Sequence, residues 1–127
     1  MTCVVKGDLV SFMDATDIYS LFGNALSNAI ESVAEEPIVD NRCIGVTVQS
    51  AGDMLFIHVE NYFSGEIELE NGLPVTKKDR DYHGFGMKSM ERIAYKYGGE
   101  ISVVAAEEKF NLDVILPIPK KKLKMEN

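Results

Sequence analysis

Two stretches of the chain alternate apolar and polar residues with a period of two, and each follows a stretch whose apolar residues recur at helical spacing. The first is RCIGVTVQS (42–50) and MLFIHVEN (54–61), joined by the turn residues Ala51, Gly52 and Asp53. The second is EISVVAAEE (100–108) and FNLDVILP (110–117). In a strand, Phe110, Leu112, Val114 and Leu116 fall on one face. Two hairpins with one apolar face each demand something to cover that face. The helical stretches supply it. One runs from about 15 to 35 and must stop before Pro37. The other is MKSMERIAYKY (87–97), closed by Gly98 and Gly99. The order helix, hairpin, long loop, helix, hairpin predicts a two-layer α/β sandwich, with helices on one face of a mixed, mostly antiparallel sheet. A length of 127 residues suits a single domain with one core.

The remaining segments are less regular. CVVKGDLVSF (3–12) has two short apolar patches around Gly7 and Asp8, which predicts a small strand pair. Asp14 starts the first helix with Asp17 at its third position, the pattern of a capping box. Residues 62–85 are polar and carry Gly65, Gly72, Pro74 and the run KKDRD, a connection long enough to be a functional loop or lid. The net charge of -7, from 20 acidic and 13 basic residues, argues against a nucleic-acid binder. The basic cluster KKKLK (120–124) follows Pro117 and Pro119 and reads as a solvated tail over 118–127; contact with an anionic membrane is the sharper alternative. No apolar run approaches the roughly 20 residues that cross a bilayer. The start, MTCVVKGDLV, lacks the apolar core of a signal peptide. These features predict a soluble chain. Cys3 and Cys43 are too few for a disulfide framework and read as buried or idle thiols. Two histidines and no CxxC argue against a zinc site.

Polar residues inside the first helix carry the chemistry. At about 100° per residue, Ile18, Phe22, Ala25, Leu26, Ala29 and Val33 form the apolar face, with Leu21 at its edge. Asn24 and Asn28 lie within about 40° of each other beside that edge, and Asp17, Glu31, Ser32 and Glu35 share their side. Asparagine is a mediocre helix residue. Its side-chain oxygen is, however, a hard ligand suited to Mg²⁺. Exposed helix residues of no special role are the alternative. HGFGMKSM (83–90) adds Gly84 and Gly86 directly before a helix, where backbone approaches a ligand closely and free N–H groups meet an anion. Lys77, Lys78, Arg80 and His83 precede this element in an otherwise acidic chain. Donors on a loop beside a glycine turn suit a polyphosphate; a capped turn beside a solvated loop is the plainer alternative.

Taken in order, NALSNA (24–29), HVEN (58–61) and HGFGMKSMERIAYKYGG (83–99) resemble the boxes of the GHKL-type ATP-binding domain. Within that superfamily the likeness is to the catalytic domain of sensor histidine kinases, peptide-pheromone-receptor-like subclass, and it covers about 5–117. The resemblance implies a Bergerat-type fold, ATP and Mg²⁺ as ligands, and nucleotide-binding roles residue by residue. Asn28 matches the metal-coordinating asparagine. Asn24 matches the residue near the phosphates that in related ATPases is a glutamate acting as general base. Asparagine there favours phosphoryl transfer over hydrolysis. Asn61 matches the aspartate that accepts a hydrogen bond from the adenine amino group. The usual DxGxG is replaced here by Asn61, Tyr62, Phe63, Ser64 and Gly65. Gly84, Phe85, Gly86 and Lys88 match the second glycine box over the phosphates, with Lys77, Lys78 and His83 beside it and Met87 and Ile93 toward the adenine. Gly98 and Gly99 match a double glycine that ends the second helix. Glu31 stands where many relatives have a base, and Glu107 and Glu108 where a Gly-Thr is usual. Neither His58 nor His83 resembles a phosphoacceptor. The resemblance therefore implies no catalytic residue in this chain and a partner domain carrying the acceptor histidine. It further implies a response regulator downstream and a place as the cytosolic part of a membrane-anchored receptor, this piece being monomeric. A non-catalytic nucleotide-sensing or interaction module and an anti-sigma-type serine kinase are the alternatives.

Overall fold

A computed structural model describes residues 2–34, 43–62, 68–70, 73–75, 83–106 and 109–119. Among them the chain forms β1 (Thr2–Val5), a 3-10 turn (Gly7–Val10), α1 (Ala15–Ala34), β2 (Ile44–Ala51) and β3 (Met54–Tyr62). Then come β4 (Glu68–Glu70), β5 (Leu73–Val75), α2 (His83–Lys96), β6 (Glu100–Ala106) and β7 (Lys109–Pro117). The main sheet has the order β1-β2-β3-β7-β6, and β4 and β5 make a separate two-stranded ribbon. β1 runs parallel to β2, and the other neighbours are antiparallel. The mixed, mostly antiparallel sheet with two helices is the expected α/β architecture.

The alternation of the strands sets the layers. Val46 and Val48 of β2, Leu55, Ile57 and Val59 of β3, and Phe110, Leu112, Val114 and Leu116 of β7 are all buried on one face. They meet Leu21, Ala25, Ala29 and Val33 of α1 and Met87, Met90, Ile93 and Ala94 of α2 in one core. The opposite face of the sheet holds His58, half-buried, whose Nδ1 lies 2.7 Å from Asp113 Oδ1 on the neighbouring β7.

Several local expectations change. The apolar patches at 3–12 do not pair with each other. β1 instead pairs with β2, its Thr2 opposite Gly45, and Gly7–Val10 form a 3-10 turn whose Leu9 and Val10 pack against the core. A parallel partner needs a crossover, and α1 provides it. Leu21, placed at the edge of the apolar face, is at its centre: it is 1% exposed, while Ile18, Phe22 and Leu26 are half-buried around the core. The sheet lies under the stripe Leu21-Ala25-Ala29-Val33. The capping box does not form as drawn. The Asp14 N–H donates to the Tyr97 hydroxyl at 2.8 Å, and the Asp17 carboxylate is taken by Lys96 and Tyr97. The first hairpin turns on Gly52 and Asp53 alone, because Ala51 pairs with Met54; Gly52 has φ 60, a left-handed conformation that glycine adopts freely. Part of the expected long loop is ordered as the β4–β5 ribbon, with Leu69 opposite Pro74.

The double glycine after α2 has two separate causes. Gly98 takes φ 79, the left-handed residue that ends a helix. Gly99 lies against β7, where an added Cβ would come 2.0 Å from the Ile115 carbonyl oxygen. Only a residue without a Cβ lets the chain leave α2 this close to the sheet. Cys3 and Cys43 are both exposed rather than buried. The basic residues 120–124 lie outside the described residues.

Candidate functional site

α1 and α2 run antiparallel across the same face of the sheet: Gly86, in the first turn of α2, lies beside Asn24, and Lys96, its last residue, reaches Asp17. The pair therefore has two ends of different character.

At one end stands the polar strip of α1. Ser20, Asn24, Asn28 and Ser32 are all half-buried and succeed one another at intervals of one turn. Asn24 Nδ2 donates to the Ser20 carbonyl at 2.8 Å and to its hydroxyl at 3.3 Å. That leaves Oδ1 toward α2, where a Cβ on Gly86 would meet it at 3.2 Å. The second glycine of the HGFG motif thus leaves the Asn24 amide its room beside α2. Gly84 and Gly86 are not ahead of the helix, as their low helix propensity suggests. α2 starts at His83, so His83, Gly84, Phe85 and Gly86 form its first turn. The four unpaired N–H groups of that turn, and the positive end of the helix dipole, belong to these residues themselves.

Asn61 completes this end. It is the last inward-facing residue of the central strand β3, 2% exposed among the apolar side chains of the core. Its Nδ2 donates to Ser32 Oγ at 2.9 Å and to the Tyr62 carbonyl at 3.0 Å. Its Oδ1 is buried and, among the described residues, has no hydrogen-bond partner. Leaving such an acceptor unpaired costs about 1–3 kcal/mol, and most buried polar atoms are paired. An oxygen held in this way can accept a donor from outside the described residues.

The other end is closed. Lys96 Nζ reaches Asp17 Oδ2 at 2.7 Å and Asp14 Oδ2 at 3.1 Å. The Tyr97 hydroxyl donates to Asp17 Oδ2 at 2.6 Å while accepting the Asp14 N–H. The Tyr97 ring meets Phe12 edge-on, with centroids 5.8 Å apart. Hydrogen bonds from Lys96 and then Tyr97 hold the Asp17 carboxyl below its ordinary value. Those to Asp17 and Asp14 raise Lys96, and burial, then the bond to Asp17, raises the Tyr97 hydroxyl. Asp17, Lys96 and Tyr97 are each kept in the state in which they bond their neighbours.

Of the residues singled out in the sequence, Asn24, Asn28, Asn61 and Gly86 are on or beside the two helices at the first end. Met87 is 2% exposed and packed in the core, and Lys88 is exposed. Lys77, Lys78 and Arg80 lie outside the described residues. Sequence reasoning placed Ser32 on the strip but gave it no task. Its position one turn beyond Asn28 was the available signal. The cluster of Asp14, Asp17, Lys96 and Tyr97 was missed.

A family model of the GHKL domain matches residues 13–117. Comparison with curated protein sequences finds no match. Among solved structures, the catalytic domain of histidine kinase ThkA, in a nucleotide-free form, superposes with a TM-score of 0.64 at 23% identity, over 86% of this chain and 71% of that one. A second nucleotide-free form gives 0.60 at 23%, over 82% and 68%. The histidine kinase AdeS of Acinetobacter baumannii gives 0.57 at 13%, over 83% of this chain and 47% of that one. The chain thus spans about half the length of AdeS. At these identities the likeness is one of fold.

Proposed function

The chain belongs to the GHKL domain family, and from that premise we propose that it binds Mg·ATP and serves as the catalytic domain of a sensor histidine kinase of the peptide-pheromone-receptor-like subclass. The γ-phosphoryl goes to a histidine on a separate dimerisation domain, and from there to a response regulator. The observation that carries this reading is Asn61. A buried oxygen with no partner among the described residues, at the end of the central strand, suits the exocyclic amino group of adenine.

The other residues fit around it. Asn28 offers an oxygen to Mg²⁺. Among the described residues no cluster of three or more His, Cys, Asp or Glu could cage a cation, so the metal would take its other ligands from phosphates and water, as Mg²⁺ commonly does. When bound, it neutralises charge on the phosphates. Asn24 and the first turn of α2 would face the polyphosphate, for which the sequence also offers the cations Lys77, Lys78, His83 and Lys88. Asn24 is neutral and takes no proton, so it is no general base for water. Its contribution is positioning and charge neutralisation. The receptor would hold this domain in the cytosol, monomeric when alone.

Titration calorimetry of Mg·ATP tests the reading. Saturable binding that needs Mg²⁺ and falls at least tenfold in Asn28→Ala supports it. An absence of heat, with a melting temperature that Mg·ATP leaves unshifted, overturns it in favour of an interaction module. Labelled phosphate should appear on an added acceptor domain and never on this chain alone. Binding without transfer would favour a nucleotide sensor.

A further inference from the structure

The cations of the chain are unevenly placed. Among the described residues the lysines and arginines are Lys6, Lys88, Arg92, Lys96 and Lys109. Lys88, Arg92 and Lys96 follow one another on α2 at intervals of about one turn. Lys96 is paired with Asp17 and Asp14, and Lys109 with Glu60 at 3.4 Å. Lys88 and Arg92 are exposed, and no acid among the described residues pairs with either. Tyr95 completes the row, a large ring 63% exposed. At about 100° per residue, Lys88, Arg92 and Tyr95 fall within about 60° of one another. They lie on the side of α2 away from Met90, which is 0% exposed. Neighbours at this spacing are about 5–6 Å apart. Two charges and an aromatic ring therefore share one face turned to solvent. Arginine and tyrosine are residue types that anchor protein interfaces. Arginine meets a carboxylate with two parallel N–H bonds, and tyrosine buries a large area at little cost in conformational entropy.

We propose that this face of α2 docks an acidic, amphipathic helix of a partner protein, with carboxylates one turn apart over Lys88 and Arg92 and an apolar side chain on Tyr95. Charge selects the class of partner. An anionic membrane is held by a cluster of roughly four to eight basic residues, and nucleic acid by a broad basic face. Lys88 and Arg92, in a chain of net charge -7, make neither. A helix asks for less, because matched charges along one seam are enough to choose partner and direction. The inference stands apart from the nucleotide reading, in which Arg92 and Tyr95 have no part.

An NMR titration of the whole isotope-labelled chain tests it. The probe is a synthetic helix of about 20 residues with glutamates one turn apart beside leucines, and the control peptide has lysine for each glutamate. Saturable shifts should centre on Lys88, Arg92 and Tyr95, with a Kd on the order of 100 µM. Binding should weaken about tenfold on going to about 0.5 M salt. Arg92→Glu should weaken it at least tenfold and Tyr95→Ala several-fold. Both variants should keep the melting temperature and the Mg·ATP affinity of wild type, since both side chains are exposed. Shifts that do not saturate, that centre on residues 120–124, or that survive Arg92→Glu unchanged overturn the inference. So does equal binding of the control peptide. Vesicles rich in anionic lipid that bind at α2 where the peptide does not overturn it in favour of a membrane face. A chain that docks the peptide at α2 and binds no Mg·ATP upholds the inference and overturns the nucleotide reading alone.

Discussion

The two ends of the α1–α2 pair are both polar, one charged and one neutral, and differ in whether their bonds are complete. At the end formed by Asp14, Asp17, Lys96 and Tyr97, two acids, a lysine and a phenol satisfy one another, and the phenol ring is packed edge-on against Phe12. At the end formed by Asn24, Ser32, Asn61 and Gly86, a buried oxygen has no partner among the described residues. The first end fixes the helices to each other. The second leaves bonding capacity in a rigid frame. A domain that must receive a polar ligand keeps its strain where the ligand goes and its satisfied bonds elsewhere.

That division can be broken by substitution. Gly99→Ala should do the most damage, because its Cβ meets the backbone of β7 rather than a side chain that could move. We expect a loss of about 3 kcal/mol or more, read as a fall in the urea midpoint or a failure to fold. Tyr97→Phe keeps the ring but leaves the Asp14 N–H and the Asp17 carboxylate short of a partner; it should cost about 1–2 kcal/mol in denaturant and leave nucleotide affinity within about twofold. A large affinity loss in Tyr97→Phe would show that the two ends are coupled.

Gly86→Ala should act in the opposite sense. Alanine is the better helix residue by up to about 1 kcal/mol, yet its Cβ crowds Asn24 Oδ1 at 3.2 Å. The variant should melt no lower than wild type while binding Mg·ATP several-fold more weakly. Unchanged affinity would remove Asn24 from the site.

The smallest effect is one of pH. The Asp17 carboxyl is held below its ordinary value by Lys96 and then Tyr97. The stability this brings is complete above about pH 4 and is lost as the pH falls below it. The raised Tyr97 and Lys96 add stability that is complete below their ordinary values, about pH 10, and lost above. Melting temperatures of wild type and Asp17→Asn should therefore differ near neutrality and converge below about pH 4. A constant gap across that range would refute the pairing.

What could be read in the sequence follows the same line. The hairpins and both helices were legible because their patterns are local and each buries one face. The parallel pairing of β1 was not, since Thr2 meets Gly45 across the whole of α1 and nothing in TCVV names its partner. The centre of α1 was misplaced because apolar residues cover much of its circumference, and only the sheet decides which stripe is innermost. The start of α2 was hidden by glycines that a close approach requires and propensity penalises. Of the residues proposed for the site, Asn24, Asn28 and Asn61 stand out in the sequence by their spacing and their boxes. The clamp was not: Asp17 and Lys96 are 79 residues apart, and each alone reads as a solvated charge.

The strand order has a consequence for how the chain comes into being. β7 follows β6 in sequence but lies inside it in the sheet, between β6 and β3. Until β7 is synthesised, β3 has an open edge, β6 has no neighbour in the sheet, and Leu112, Val114 and Leu116 are missing from the core. A ribosome can release α1 and the β2–β3 hairpin as local structure. The sheet closes only when the strand of residues 109–117 arrives, so a chain stopped before it would expose the apolar face that both helices were made to cover.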